Sequence, residues 1–520
     1  MYVEIVELVL GLLVVVIALV TVARRFAIPY PILLVLGGLV LGFVPHLPNI
    51  ILNPDLVFLL FLPPLLYWES LNTPLREFRA NMGSILLLAI GLVLVTTTAV
   101  AVIAHMLIGL SWPVAFVLGA IISPTDTVAA AAIAQRLSLP RRVVAVLEGE
   151  SLLNDATALV AYSTAAGVVA SGSFFWAQAG IQFVVASGGG VIIGLIVGLI
   201  VIWVRRALHD PPVENTISLL TGFAAYLPAQ ALGLSGVLAV VAVGLYLERQ
   251  GPSIVSPQTR LQAIQLWQVV VFLLNGLLFI LVGLQLNTIL ASHALPPVGM
   301  LLLYAALISL TIIVIRIIWV FSTAYLPRFL SRRLRERDPY PAWQDVAIVA
   351  WTGMRGGVSL AAALALGISF PQRDLIVFLT FSVILATLVV QGLSLPPFIQ
   401  RLKVTDDGVL EREEAKARLK TVQAAMARLD ELANEDWVPQ DVVADLRSHY
   451  TEKSRRSKAQ FDGSDTIFEE RIIAYRRLQQ EILSAKRKTI IDLRNHSIIN
   501  DEVMRKIQHD IDMEETMLSS

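Results

Sequence analysis

The 520-residue sequence contains no cysteine, which excludes disulfides, thiolate chemistry and cysteine-ligated metals. Lysine is missing from the whole first part of the chain, where Lys403 is the first. Charge of either sign is scarce, at 15% of residues against 56% hydrophobic ones. The mean hydropathy is +0.72, far from a soluble domain with about 25% charged residues. The little charge present is unevenly placed. Residues 1–400 hold 19 of the 40 basic and 16 of the 40 acidic residues, leaving 21 and 24 for the rest. The zero net charge therefore averages an apolar part at +3 and a polar part at −3. Nothing in this pattern suggests nucleic-acid binding.

Apolar stretches of about 17–25 residues are needed to cross a bilayer. Thirteen are read here, near 4–22, 30–46, 54–70, 82–108, 113–134, 142–168, 180–204, 213–232, 234–248, 262–288, 298–326, 343–368 and 374–398. The eighth and ninth are separated only by Gly233 and its neighbours. The first stretch has acidic residues before it (Glu4, Glu7) and Arg24 and Arg25 behind it, so it reads as a retained helix with its N-terminus outside rather than a cleaved signal. In that orientation the odd-numbered connections are cytoplasmic and carry 16 arginines, against Arg373 alone in the even-numbered ones. The positive-inside rule thus agrees with the count. It divides the chain into a transmembrane domain, 1–400, and a cytoplasmic helical tail, 401–520. The tail segments Glu411–Asn434, Pro439–Ala459 and Ile467–Arg494 mix charges with spaced apolar residues. A regulatory or dimer-stabilising role fits them better than catalysis.

Charges at membrane depth are expensive and mark function by default. Glu69 closes the third span, Asp126 lies in the fifth, and Glu148, Glu150 and Asp155 in the sixth; Arg316 and Arg355 fall in the eleventh and twelfth. A four-residue helical step places Ser151 with Asp155 on one stripe and Glu150 with Asn154 on the next. Hard oxygens of this kind suit Na⁺, Li⁺ or H⁺ and not soft transition metals. Arg316 stands alone in an apolar run and reads as a snorkelling or salt-bridging residue. His46, His105 and His293 lie near extracytoplasmic ends, where pH sensing is a weaker reading than structure.

The fifth and twelfth spans are both interrupted, at Ser123-Pro-Thr-Asp-Thr127 and at Thr352-Gly-Met-Arg-Gly-Gly357. Pro124 removes a backbone donor, and Gly356 with Gly357 weakens the helix. Interrupted spans in the two halves of a chain point to a transport site built from discontinuous helices. The fifth runs inward and the twelfth outward, an inverted arrangement. Asp126 is expected to compensate exposed amides there and Arg355 exposed carbonyls.

On these residues the chain resembles bacterial members of the cation:proton antiporter-1 family, the sodium/proton exchangers of the NhaP and NHE type. The resemblance rests on Phe61-Leu-Pro-Pro-Leu-Leu, Ser123-Pro-Thr-Asp, Gly149-Glu-Ser-Leu-Leu-Asn-Asp-Ala, Phe272-Leu-Leu-Asn-Gly-Leu-Leu-Phe and Gly353-Met-Arg-Gly-Gly-Val-Ser, in that order. It implies an all-α polytopic membrane protein of the NhaA-like antiporter fold, with inverted repeats and two crossing discontinuous helices. It implies a homodimer in a bacterial inner membrane, with no cofactor and no enzymatic activity. Asp155 would carry either ion, with Ser151, Thr125 and Glu69 completing the Na⁺ shell. Glu150 would pair with Arg355, with Asn154 alongside. Electrogenic relatives place an aspartate at the position of Asn154 and use a membrane lysine. Their absence here implies electroneutral exchange, one cation for one proton.

The expected function is therefore exchange of Na⁺, with Li⁺ a further candidate, for H⁺ by alternating access, the two ions competing for Asp155. The rival readings are a K⁺(Na⁺)/H⁺ antiporter of the same fold and, less favoured, a cation channel. A membrane hydrolase is disfavoured because Ser151 and Asp155 have no histidine neighbour in sequence and no oxyanion motif. A regulatory ligand or protein acting on the tail is a further expectation.

Overall fold

A chain this apolar must satisfy its backbone groups internally, and helices do so within one segment. The computed structural model describes residues 2–519 except 27, 45–53, 127–138, 172–175, 209, 291–294, 368, 405–408, 434, 436, 463–465 and 497. All regular structure among the described residues is helical. The chain divides into two compact units, Met1–Asp406 and Asp407–Ser520.

The first unit begins with α1 (Tyr2–Arg25), α2 (Tyr30–Gly42), α3 (Pro54–Asn72), the short α4 (Leu75–Ala80), α5 (Met82–Ile108) and α6 (Trp112–Ile122). It continues with α7 (Arg141–Ser171), α8 (Trp176–Ala207), α9 (Pro211–Ala231), α10 (Gly236–Ile254), α11 (Pro257–Leu290) and α12 (Val298–Leu330). The short α13 (Arg332–Arg337) leads to α14 (Trp343–Trp351), α15 (Gly357–Leu364) and α16 (Arg373–Leu402). Seven of the described helices are long and apolar enough to cross a membrane, and α2 and α6 are shorter apolar ones. Each of the thirteen apolar stretches carries helix; the second half of the fifth, from position 127, lies outside the described residues. The turn between α9 and α10 holds Gly233 at φ +70°, a left-handed conformation that glycine adopts without steric penalty.

The apolar exterior matches a lipid solvent. On α8, Ile181, Val184, Ile192, Leu199 and Trp203 are all exposed, a face that water would not tolerate at this size. Inside, helices associate through close backbone approach, the usual device where lipid removes the hydrophobic drive. A Cβ on Gly38 of α2 would overlap the carbonyl oxygen of Ile280 on α11, and one on Gly283 would overlap that of Val35.

Two helices stop inside the unit. After α6 the chain runs non-helically through 123–126, and between α14 and α15 it does so through 352–356. The two breaks meet: Asp126 N donates to Met354 O at 2.8 Å. α16 contains a π turn, Thr387–Gln391, and Thr387 Oγ1 there accepts the Arg355 amide at 3.1 Å.

The second unit comprises α17 (Val409–Leu432), α18 (Gln440–Asp462), α19 (Thr466–Asn495) and α20 (Asp501–Ser519). α20 was not among the tail segments expected from sequence. It packs on α19 through Leu483, Ile490 and Ile511, with Arg487 paired to Asp512 at 2.6 Å and Glu515 at 2.7 Å.

The α2–α11 contact predicts that Gly38→Val destabilises the protein by about 1–3 kcal/mol, the usual range for overpacking. A lower thermal-unfolding midpoint of the purified protein would show it. Gly299→Ala, where a Cβ meets nothing within 4 Å, should leave the midpoint within error.

Candidate functional site

The breaks free backbone groups that a continuous helix would have satisfied. Arg355 answers two of them. Its Nε donates to Ile122 O at 2.8 Å and its Nη1 to Gly353 O at 2.6 Å, and the side chain is fully buried. Asp126 packs its carboxylate against Gly356, where any Cβ would overlap it. The backbone at Gly356 is extended, with φ −124°, so close approach and not conformational freedom requires glycine there.

α7 supplies the polar groups facing the first break. Its four-residue periodicity puts Glu150 and Asn154 on the stripe that meets Thr125. Asn154 Nδ2 donates to Thr125 Oγ1 at 2.8 Å and to Thr125 O at 3.0 Å. The Thr125 hydroxyl donates onward to Glu150 Oε1 at 2.8 Å. The three groups form one directed chain of hydrogen bonds.

The expected partner of Glu150 was Arg355, and here the structure differs. Glu150 is held by Arg316 of α12 in a two-pronged pair, Nη1 to Oε1 at 2.5 Å and Nη2 to Oε2 at 2.9 Å. Both side chains are almost wholly buried. Arg316 also donates from Nε and Nη2 to Val349 O, at 3.2 and 3.0 Å. That carbonyl lies in the last turn of α14, where the helix stops and its own donor is lost. Arg355 gives Nε and Nη1 to carbonyls and its Nη2 has no hydrogen-bond partner among the described residues, while the carboxylate is held by the other arginine. Arg316 is a buried salt-bridging residue and not a snorkelling one.

The adjacent stripe of α7, Ser151 and Asp155, faces a cavity. Its empty volume is about 550 Å³, the open mouth included. Glu69 enters from α3, Thr125 and Asp126 from the first break, Asn275 from α11 and Ser359 from the first turn of α15. The structure thus brings together Asp155, Ser151, Thr125, Glu69 and Asp126. Glu148 is not among the cavity's lining residues. Asp155 is 8% exposed, and no hydrogen-bond donor or cation meets its carboxylate among the described residues. Ser151 Oγ donates to Thr125 O at 3.4 Å, a long contact.

Sequence reasoning gave no role to Asn275 or Ser359, although both stand inside motifs quoted above. Asn275 is the only polar residue between Val269 and Leu284 besides glycine, and that isolation was the available signal. His46 and His293 lie outside the described residues. His105 bonds Leu110 O through Nδ1 at 2.7 Å and stacks on Trp112, a local contact away from the cavity.

Removing one member of a buried ion pair typically costs about 3–5 kcal/mol. Arg316→Met and Glu150→Gln should each lower the unfolding midpoint strongly, and the double variant should lose less than the sum. The same double-mutant cycle with Arg355→Met should show much weaker coupling to Glu150.

A family model described as sodium/hydrogen exchanger, transmembrane, matches residues 11–401. An uncharacterized Na⁺/H⁺ exchanger of Mycobacterium bovis is 39% identical over 507 residues, 95% of this chain and 93% of its own length. A sodium, potassium, lithium and rubidium/H⁺ antiporter of Bacillus pumilus is 33% identical, over 80% of this chain and 64% of its own. Among solved structures, the sodium proton antiporter MjNhaP1 of Methanocaldococcus jannaschii has a similar fold, with a TM-score of 0.59 at 21% identity over 76% of this chain and 98% of that one. The family match spans the two helix stops, the α7 carboxylates and the residues that line the cavity, and on it the chain belongs to the transmembrane sodium/hydrogen exchanger family.

Proposed function

We propose that this protein exchanges Na⁺, and Li⁺ with it, for H⁺ in a one-to-one electroneutral cycle, the two ions competing for Asp155. The observation that carries the reading is the Asp155 carboxylate. It is buried, lines a cavity with Glu69, Thr125 and Ser151, and has no protein donor or cation on it among the described residues. A bare carboxylate is costly to move through a low-dielectric medium, whereas one loaded with a proton or a monovalent cation is neutral. The empty carrier is thereby discouraged from crossing, and two fluxes become coupled. Asn154 brings no charge, and its amide is committed to Thr125, which supports a single carrier charge.

Alternation arises when the helices bearing Asp155 move relative to α3 and α11 and open the cavity to the other side. Ser151, Thr125 and Glu69 complete the cation's shell. Glu150, Arg316, Arg355, Asn154 and Asp126 hold the crossing in shape. The protein acts as a homodimer in a bacterial plasma membrane, with its N-terminus outside. Its tail unit, cytoplasmic in this orientation, answers to a regulatory ligand or protein. The name of the Bacillus pumilus relative, a sodium, potassium, lithium and rubidium/H⁺ antiporter, favours a second reading in which K⁺ is also carried.

Reconstituted vesicles with an imposed pH gradient test both readings. Addition of Na⁺ or Li⁺ should dissipate the gradient, at a rate unchanged when the membrane potential is clamped. Asp155→Asn should abolish the response, and survival of cation-dependent proton flux in that variant would overturn the carrier assignment. A response to K⁺ equal to that for Na⁺ would select the second reading.

A further inference from the structure

Buried polar atoms are nearly always hydrogen-bonded, and one left without a partner keeps its full desolvation penalty. Two such atoms belong to residues that line the Asp155 cavity. Asn275 Oδ1 on α11 and Ser359 Oγ on α15 have no hydrogen-bond partner among the described residues, and both residues line the cavity. Asn275 is 4% exposed and Ser359 1%. They come from different helices, 84 positions apart in the sequence. They share one surface with Asp155, Glu69 and Ser151. α11 is otherwise apolar around Asn275, so neither local helix propensity nor packing calls for a carboxamide there.

We infer that Asn275 Oδ1 and Ser359 Oγ are ligands of the transported monovalent cation, supplying neutral oxygens from two helices other than α7. This rests on the proposed function and deepens it by giving the two ions different binding sets. A carboxylate accepts either a proton or a cation, so carboxylates alone cannot tell the two apart. A carboxamide or hydroxyl oxygen coordinates a hard cation and does not take up a proton anywhere near neutral pH. Asn275 and Ser359 therefore strengthen cation binding and leave proton binding at Asp155 untouched. They set how much cation is needed to displace a proton, and their distance across the cavity biases the choice among alkali cations. Their oxygens also gain the partner that the protein does not give them.

The test uses the full chain in reconstituted vesicles, with Asn275→Ala, Ser359→Ala and Ser359→Thr. Loss of one ligand should raise the apparent KM for Na⁺ about tenfold, the equivalent of about 1.4 kcal/mol, with the maximal rate kept within about twofold of wild type. Ser359→Thr, which retains the hydroxyl, should stay near wild type. The rise should persist at alkaline pH, where protons compete least, and the ratio of KM between acidic and alkaline pH should match that of the unmodified protein. Unchanged KM in both alanine variants would overturn the inference. So would a rise that vanishes at alkaline pH, because it would mean altered proton binding. Sodium-induced thermal stabilisation of the purified protein gives a second readout independent of transport, and it should shrink in both alanine variants. Asp155→Asn, run in parallel, separates the two proposals: retained exchange there overturns the proposed function, whatever Asn275 does.

Discussion

Everything around the cavity depends on one constraint: backbone groups released where two helices stop inside an apolar fold must find partners within the protein. Arg355 meets Ile122 O and Gly353 O, Arg316 meets Val349 O, and the Asp126 amide meets Met354 O. Two guanidiniums suit this task because each presents several donors in a fixed plane and stays charged. Once two arginines are buried, charge balance is needed nearby. Glu150 supplies it for Arg316 directly. The carboxylate thus follows from the helix break and not from the ion.

That ordering separates two acids one turn and a fraction apart on α7. Glu150 is enclosed by Arg316 and the Thr125 hydroxyl. Asp155, facing the cavity, has none of these donors. Adjacent stripes of a single helix therefore carry a fixed joint and an open seat. Gly356 keeps the joint tight by letting the Asp126 carboxylate lie against its Cα.

Much of this was legible in the sequence because the governing signals are local. Pro124 and the Gly356-Gly357 pair locate both breaks. The four-residue step sorts Ser151 and Asp155 from Glu150 and Asn154. Apolar run lengths and arginine alternation outline the helices. The choice between Arg316 and Arg355 as the partner of Glu150 was not legible. Arg316 lies 166 residues from Glu150, and both arginines are single charges in apolar runs, so no spacing rule decides which of the two reaches the carboxylate. Asn275 and Ser359 escaped for a related reason. A lone asparagine or serine is cheap enough in a helix to pass as packing, and only the third dimension shows that both border the same cavity.

The π turn in α16 carries a consequence of its own. One extra residue in a helical turn rotates the residues after it by about 100° relative to those before it. Thr387, at the start of that turn, reaches the Arg355 amide, while Ser394, beyond it, accepts from the indole of Trp351 at 2.9 Å. In a uniform α-helix two residues seven apart share one face. The extra residue turns Ser394 off the face of Thr387, so one contact goes to the last residue of α14 and the other to the non-helical chain after it. The inserted residue works as a phase adjuster, giving one helix two differently directed contacts with a neighbour that is interrupted. Motion of the crossing would then be felt along α16 as a change of helical phase rather than as a bend.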